Sequence, residues 1–138
     1  MVQLDPANRE PAYLCGRLLA VLERIQQVAI PGASATIVDR FFGTASSAPA
    51  SVFGRLLRGC QAHLTRLRKE KPGAFQALKR RLEEIVHPDL KTFPRLLTLE
   101  QQGLFSLGYF HQCAHDRAAA RAHRQQRQSP AAERPAAE

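Results

Sequence analysis

A chain of 138 residues, 44% of them hydrophobic, is long enough for one domain with a modest core, and its longest apolar stretches fall far short of a membrane span. The formal charge of +8 is concentrated, because residues 48–81 contain nine basic residues and one acidic residue, whereas the rest of the chain contains eleven of each. The three cysteines, Cys15, Cys60 and Cys113, are odd in number and far apart, which argues against a disulfide framework and predicts reduced, mostly buried thiols. The N-terminus has no cationic region followed by an apolar run, so we expect no signal peptide and a soluble, cytoplasmic protein.

Two helices are predicted in the first third of the chain. Residues 1–10 are polar and form a lead-in, and residues 11–30 carry an apolar stripe at helical spacing that begins at Pro11 and ends at Pro31-Gly32. A second, shorter helix is expected over residues 35–42, with Ser34 as its cap and Gly43 as its terminator.

The stretch 48–71 is expected to organise the rest of the chain. On a helix it places Phe53, Leu56, Leu57, Cys60, Leu64 and Leu67 within one arc of about 100°. Four cations, Arg55, Arg58, Arg66 and Lys69, cluster on the opposite side, and we call these four residues the basic ridge. Ser47 is the predicted cap, Pro49 suits the first turn, and Lys71-Pro72-Gly73 ends the helix.

Two further helices complete the pattern. Residues 74–86 form the fourth apolar stripe and add three cations, and His87-Pro88 breaks it. After a loop that turns Phe93 inward, Thr98 and Gln101 predict a capping box that opens an interior helix. Gly103 and Gly108 weaken an isolated helix, so both are expected to mark the close approach of a neighbouring helix.

No segment of useful length alternates with period two, so the predicted fold is all-α, a compact bundle of about five helices. The bundle domain is assigned to residues 11–116. Residues 117–138 are rich in Ala, Arg, Gln and Pro and form a low-complexity tail that first extends the last helix and is disordered after Ser129-Pro130.

Catalytic and metal-binding motifs are absent from the sequence, so we expect neither an enzyme nor a bound cofactor or metal. His111 and His115 stand four residues apart near Cys113 and Asp116, but two ligands do not make a tight zinc site and Cys113 points away from both. His63 is interpreted as a partly buried histidine at the edge of an apolar face.

The concentrated positive charge favours a polyanionic partner. Contacts to a nucleic-acid backbone need Lys and Arg at intervals but no sequence reading, and the ridge covers about 21 Å of helix. The predicted nucleic-acid-binding residues are Arg55, Arg58, Arg66, Lys69, Lys71, Lys79 and Arg80. A solvated helix face, or a face that meets acidic protein surfaces, remains an alternative interpretation of the same charges.

Several long segments resemble a known family: AYLCGRLLAVLERIQ, ATIVDRFFGTASSAPASVFGRLLR, HLTRLRKEKPG and LTLEQQGLFSLGYFHQ. Over roughly residues 11–112 the chain is similar to the C-terminal helical region of the large subunit of the type I-C CRISPR effector complex, Cascade. That region is also made separately, from an internal start, as the small subunit, and this chain resembles the free small subunit. A shortened form of the large subunit would look the same.

The resemblance implies a non-catalytic helical bundle in a prokaryotic cytoplasm. The implied role is to line the belly of the complex and to hold the target strand and the displaced non-target strand when the R-loop opens. The expected partners are the backbone subunits, the large subunit, guide RNA and target DNA, with a second copy of the chain as a further candidate. A purely architectural module that bridges Cascade subunits is the alternative.

Overall fold

The computed structural model describes residues 3–33, 35–86, 90 and 92–133, with side chains as far as 126. It contains five α-helices in this part of the chain, and no strand occurs there. They are α1 (Pro11–Ala29), α2 (Ile37–Ser47), α3 (Phe53–Glu70), α4 (Pro72–Val86) and α5 (Leu99–Glu133), with a 3-10 turn at Pro49–Ser51. The predicted all-α bundle is confirmed.

The central element is α1, so the expectation that α3 organises the chain is wrong. Thirteen of the nineteen residues of α1 are buried, and α1 packs against each of the other four helices. By contrast α3 buries five residues along one face. The physical reason is charge: α3 carries cations that must stay in water, whereas most of α1 is apolar all round and can be enclosed.

The tightest packing in the bundle is between α1 and α5, at two glycines. A Cβ atom on Gly108 would collide with the carbonyl oxygen of Tyr13, and one on Gly16 would collide with that of Phe105. The predicted close approach at Gly108 is therefore confirmed, and Gly16 is its counterpart on α1. The same prediction for Gly103 is wrong, because nothing lies within 4 Å of the position of its Cβ.

The turn from α2 into α3 differs from the predicted one. The capping residue of α2 is Thr36, whose Oγ1 accepts from the backbone N–H of Asp39, while the Asp39 carboxylate accepts from the N–H of Thr36. The predicted cap, Ser34, lies outside the described residues. The helix continues through Gly43, which has no positive φ, and the Ser47 hydroxyl donates back to the Gly43 carbonyl instead of capping α3.

Pro49 opens the 3-10 turn, and α3 begins only at Phe53, with no side-chain cap. The turn is attached to the segment before α5, because the N–H of Ala50 donates to the carbonyl of Pro94 and the N–H of Leu97 donates to that of Ser47. Phe93 packs inward as expected, with its ring stacked on that of Phe53 at a centroid distance of 5.0 Å. The predicted break at His87-Pro88 lies outside the described residues.

The fifth helix begins with the predicted capping box. The N–H of Thr98 donates to Gln101 Oε1 at 2.8 Å, and the N–H of Gln101 donates to Thr98 Oγ1 at 3.1 Å. The predicted extension beyond residue 116 is confirmed, since α5 runs as far as Glu133. The sequence predicts disorder after Ser129-Pro130. The side chains from residue 127 on and the whole of residues 134–138 lie outside the described part of the chain.

A buried polar chain ties α1, α5 and α4 together. The Arg17 Nε–H donates to Gln112 Oε1 at 2.8 Å, Gln112 Nε2 donates to Asp116 Oδ1 at 3.0 Å, and Asp116 pairs with Arg81 at 3.3 Å. Burial lowers the pKa of Arg17. Because each buried polar side-chain atom in the described residues has a partner, this network fixes the register of α5 on α1 without an unpaired charge.

The glycine contact gives the first prediction. Gly108→Ala is expected to lower the free energy of unfolding by about 2 kcal/mol, because the added methyl group meets backbone that cannot turn aside. The matched control is Gly103→Ala on the same helix, which should raise stability by about 0.5–1 kcal/mol through helix propensity alone. Urea denaturation followed by circular dichroism measures both, and equal effects of the two changes would contradict the packing described above.

Candidate nucleic-acid interface

The basic ridge lies on the outer face of α3, where all four of its residues are exposed. The opposite face of the helix is buried at Phe53, Leu56, Cys60, Leu64 and Leu67, as predicted, and Leu57 is half-buried at its edge. Arg55 and Lys69 are 14 residues apart, about 21 Å along the helix. The ridge is therefore a row of cations on a helix whose other side is fixed in the core.

The three cysteines are free thiols in the bundle, and Cys60 lies on the buried face of α3. Cys60 and Cys15 are buried, Cys113 is half-buried, and all three are free. Burial raises the pKa of the Cys60 thiol to about 11 and that of Cys15 to about 12. Both thiols therefore stay neutral near pH 7, as apolar core side chains should.

One acidic residue, Glu70, partly offsets the positive charge of the ridge. Arg66 Nε donates to Glu70 Oε2 at 3.1 Å, and both side chains are more than half exposed, at 53% and 55%. An exposed pair at this i,i+4 spacing contributes only about 0.3–0.5 kcal/mol, so Arg66 can exchange Glu70 for an external anion at little cost. The other three ridge cations make no ion pair with the described acidic residues.

The remaining predicted residues do not all share the face of the ridge. Lys71 lies at the end of α3, where its Nζ donates to the Val28 carbonyl at 3.2 Å, and it is exposed. Lys79 lines a groove of about 320 Å³ between α3 and α4, with its Nζ 5.9 Å from the centroid of the Phe75 ring. Arg80 lines a separate, more apolar groove beside Glu83 and Glu84.

Arg68 was missing from the predicted set. It is exposed and lines the same groove as Lys79, together with Glu83 from α4, so the groove carries two cations and one carboxylate. The sequence signal was present, because Arg68 is one of the nine basic residues of the segment, but it points away from the ridge. Only the pairing of α3 with α4 brings it next to Lys79.

The three histidines singled out in the sequence analysis have different environments. His111 Nδ1 is 2.8 Å from the Tyr13 hydroxyl, His63 is half-buried as expected, and His115 is exposed. Within the part of the chain described, no group of three or more His, Cys, Asp or Glu side chains is placed to hold a metal ion. Among the helices described, none combines the length and apolar character needed to cross a membrane.

Comparison with models of protein families identifies the family of this chain. A profile of the family described as CRISPR-associated protein (Cas_Csd1) matches residues 1–116. The chain belongs to this family. The matched residues cover most of the protein and include the bundle and the basic ridge, so the resemblance to a type I-C Cascade-related protein is confirmed at the level of the Csd1 family. Comparison with curated proteins finds no match.

The Arg66–Glu70 pair gives a prediction for this surface. Glu70→Gln removes the single acidic charge of residues 48–81, so it should tighten binding to single-stranded DNA while changing the free energy of unfolding by less than about 0.5 kcal/mol. Fluorescence anisotropy with a labelled oligonucleotide measures the affinity. Glu100→Gln, which removes an exposed carboxylate from α5, is the control, and an equal gain for both variants would contradict a specific role of the ridge.

Proposed function

We propose that this Csd1-family chain acts as a non-catalytic small subunit of a type I-C Cascade and binds nucleic-acid backbone through the basic ridge, so that it stabilises the open R-loop. The observation that carries the proposal is the row of four exposed cations on one face of α3, in a chain that belongs to a CRISPR-associated family. Its partners would be the other Cascade subunits, the guide RNA and the two DNA strands.

The energetics of strand exchange suit a protein that makes only backbone contacts. The RNA–DNA duplex formed in an R-loop is about as stable as the DNA duplex that it replaces, so modest protein contacts can decide the direction of the exchange. Lys and Arg on a helix supply such contacts for any sequence, because the phosphates are the same at each position.

A structural role suits the chemistry of the ridge better than catalysis does. The ridge residues are exposed cations, and the carboxylate beside them, that of Glu70, is paired with Arg66. Guanidinium and ammonium groups of this kind hold anions without changing their covalent structure. DNA cleavage would then belong to another component of the interference system.

The test measures R-loop formation on a matched target by a guide-loaded complex. The complex is reconstituted without this chain, with the original chain, or with a reversed form. In the reversed form, Glu replaces all four residues of the ridge: Arg55, Arg58, Arg66 and Lys69. The original chain should restore R-loops and the reversed form should not, because its ridge would repel phosphate. Co-purification of the reversed form with the complex shows that assembly is intact.

A smaller pair of variants controls for total charge. Arg55→Glu/Arg58→Glu removes two cations from the ridge, and Arg40→Glu/Arg95→Glu makes the same change at exposed positions on α2 and in the loop before α5. Only the ridge pair should reduce R-loop yield. If the fully reversed protein supports R-loops as well as the original, the assignment of the ridge to nucleic acid fails.

An architectural function is the second candidate, and an exposed apolar stripe on α5 favours it. Leu99 is 85% exposed and Leu107 is 50% exposed, and with Gly103 between them they lie within about 80° of one side of the helix. Exposed leucines on one side of a helix supply apolar area that a partner protein can cover. In this function the chain bridges Cascade subunits, and its cations meet acidic protein surfaces.

The architectural function predicts that Leu99→Gln/Leu107→Gln abolishes co-purification with the other subunits while helix content and melting temperature stay unchanged, because neither side chain belongs to the core. Leu96→Gln is the matched control, since Leu96 is 78% exposed but lies before α5. Undiminished co-purification of the double variant would exclude this stripe as the docking surface.

A further inference from the structure

A second basic surface lies in a groove of about 400 Å³ between α1 and the C-terminal part of α5. The lining residues come only from these two helices, so the groove is separate from the ridge on α3. Four arginines line it: Arg24 from α1, and Arg117, Arg121 and Arg124 from α5. The three arginines of α5 lie after residue 116, where the match to the family profile ends.

The two acidic residues of the groove are occupied by internal partners. Glu23 Oε2 accepts from the Tyr109 hydroxyl at 3.0 Å and Glu23 Oε1 accepts from the N–H of Val38 at 3.3 Å. Burial raises the pKa of Tyr109, so that its hydroxyl keeps its proton and remains a donor. Asp116 is bound by Arg81 and Gln112.

The arginines of the groove, in contrast, make no ion pair with the acidic residues described. Each guanidinium presents several N–H donors and stays charged at any physiological pH. Asp116 is paired with Arg81, and Glu23 is held by neutral donors, so its carboxylate offsets one of the four arginines at most. The groove therefore has a surplus of cationic donors, whose natural complement is an external anion with oxygen acceptors.

The three arginines of α5 form a straight row. Their spacing of i, i+4 and i+7 places them within about 60° of the helix circumference and over about 10 Å of its length. Phe110 stands seven residues before Arg117, so it lies on the same side of α5. Its ring is 56% exposed and packs edge-on against Tyr109 at a centroid distance of 5.1 Å.

We infer that this row, Phe110, Arg117, Arg121 and Arg124, binds a single nucleic-acid strand, with phosphates on the arginines and a base stacked on Phe110. A positively charged track joined to an exposed aromatic ring is the combination that single-strand binding requires. An acidic protein that pairs with the arginines and covers the ring is the competing occupant, and the test below separates it from a nucleic-acid strand. The inference rests on the proposed function, since an open R-loop supplies the single strand, but it uses none of the ridge residues.

The test uses the full chain with a fluorescein-labelled oligo(dT) of about 20 nucleotides, longer than the site of a typical single-strand-binding fold. Affinity is measured by anisotropy over a series of salt concentrations. Arg121→Ala/Arg124→Ala should weaken binding and lower the slope of log affinity against log salt by about 1.4, because each cation removed accounts for about 0.7. The control Arg40→Ala/Arg95→Ala removes the same charge from exposed positions elsewhere and should leave the slope nearly unchanged.

The stacking contact has its own readout. A phosphodiester chain of equal length that lacks bases should bind the original protein more weakly than oligo(dT) does. Phe110→Ala should cost at least about fivefold in affinity for oligo(dT) and leave the base-free probe unaffected. Circular dichroism confirms that the exposed substitutions keep the helix content.

Three outcomes would overturn the inference. They are an unchanged salt slope for Arg121→Ala/Arg124→Ala, equal affinity of the original protein for the two probes, and competition by poly-glutamate as effective as that by unlabelled oligo(dT) at equal charge. Ridge variants measured in the same titration separate the two proposals. If reversal of the ridge abolishes binding while the groove variants do not affect it, the groove inference fails and the proposed function stands.

Discussion

The structure depends on the close contact of α1 and α5 at Gly16 and Gly108. At these two positions the backbone of each helix lies where a side chain of the other would be, so the helices approach more closely than any larger residue at either position would allow. The contact encloses α1, which then becomes the core against which α2, α3 and α4 pack. The buried chain from Arg17 through Gln112 to Asp116 holds the same pair of helices in register.

The placement of the cations follows from this arrangement. Because α1 supplies the centre of the bundle, α3 has to bury only one face, and the other face can carry four cations in water without a desolvation cost. The same contact sets α5 beside α1 as far as Arg124, so that the arginines of the extension face Arg24 across a groove. Both basic surfaces are thus presented on elements that the core holds in place.

Much of the fold could be predicted from the sequence. The apolar stripes, Pro11 and the Thr98–Gln101 capping box are local signals, and they gave the helices to within a few residues, apart from the length of α2 and the start of α3. The centre of the bundle could not be predicted, because enclosure of α1 depends on which faces pair in space. Gly16 was overlooked for the same reason, since a glycine in an apolar stripe has no local mark of a close approach. Within the candidate site, the exposure of the ridge could be predicted from helix geometry alone. The surroundings of Lys79 and Arg80 could not. These neighbours lie about 100° apart on α4 and line different grooves, which exist only in the packed structure.

The most direct test of the central proposal is an electron cryomicroscopy structure of the assembled effector complex with its R-loop open. The account predicts that the outer face of α3 lies along a nucleic-acid strand, with the side chains of Arg55, Arg58, Arg66 and Lys69 within hydrogen-bonding distance of successive phosphates. A complex in which this face packs against acidic side chains of another subunit, or faces bulk solvent, would contradict it.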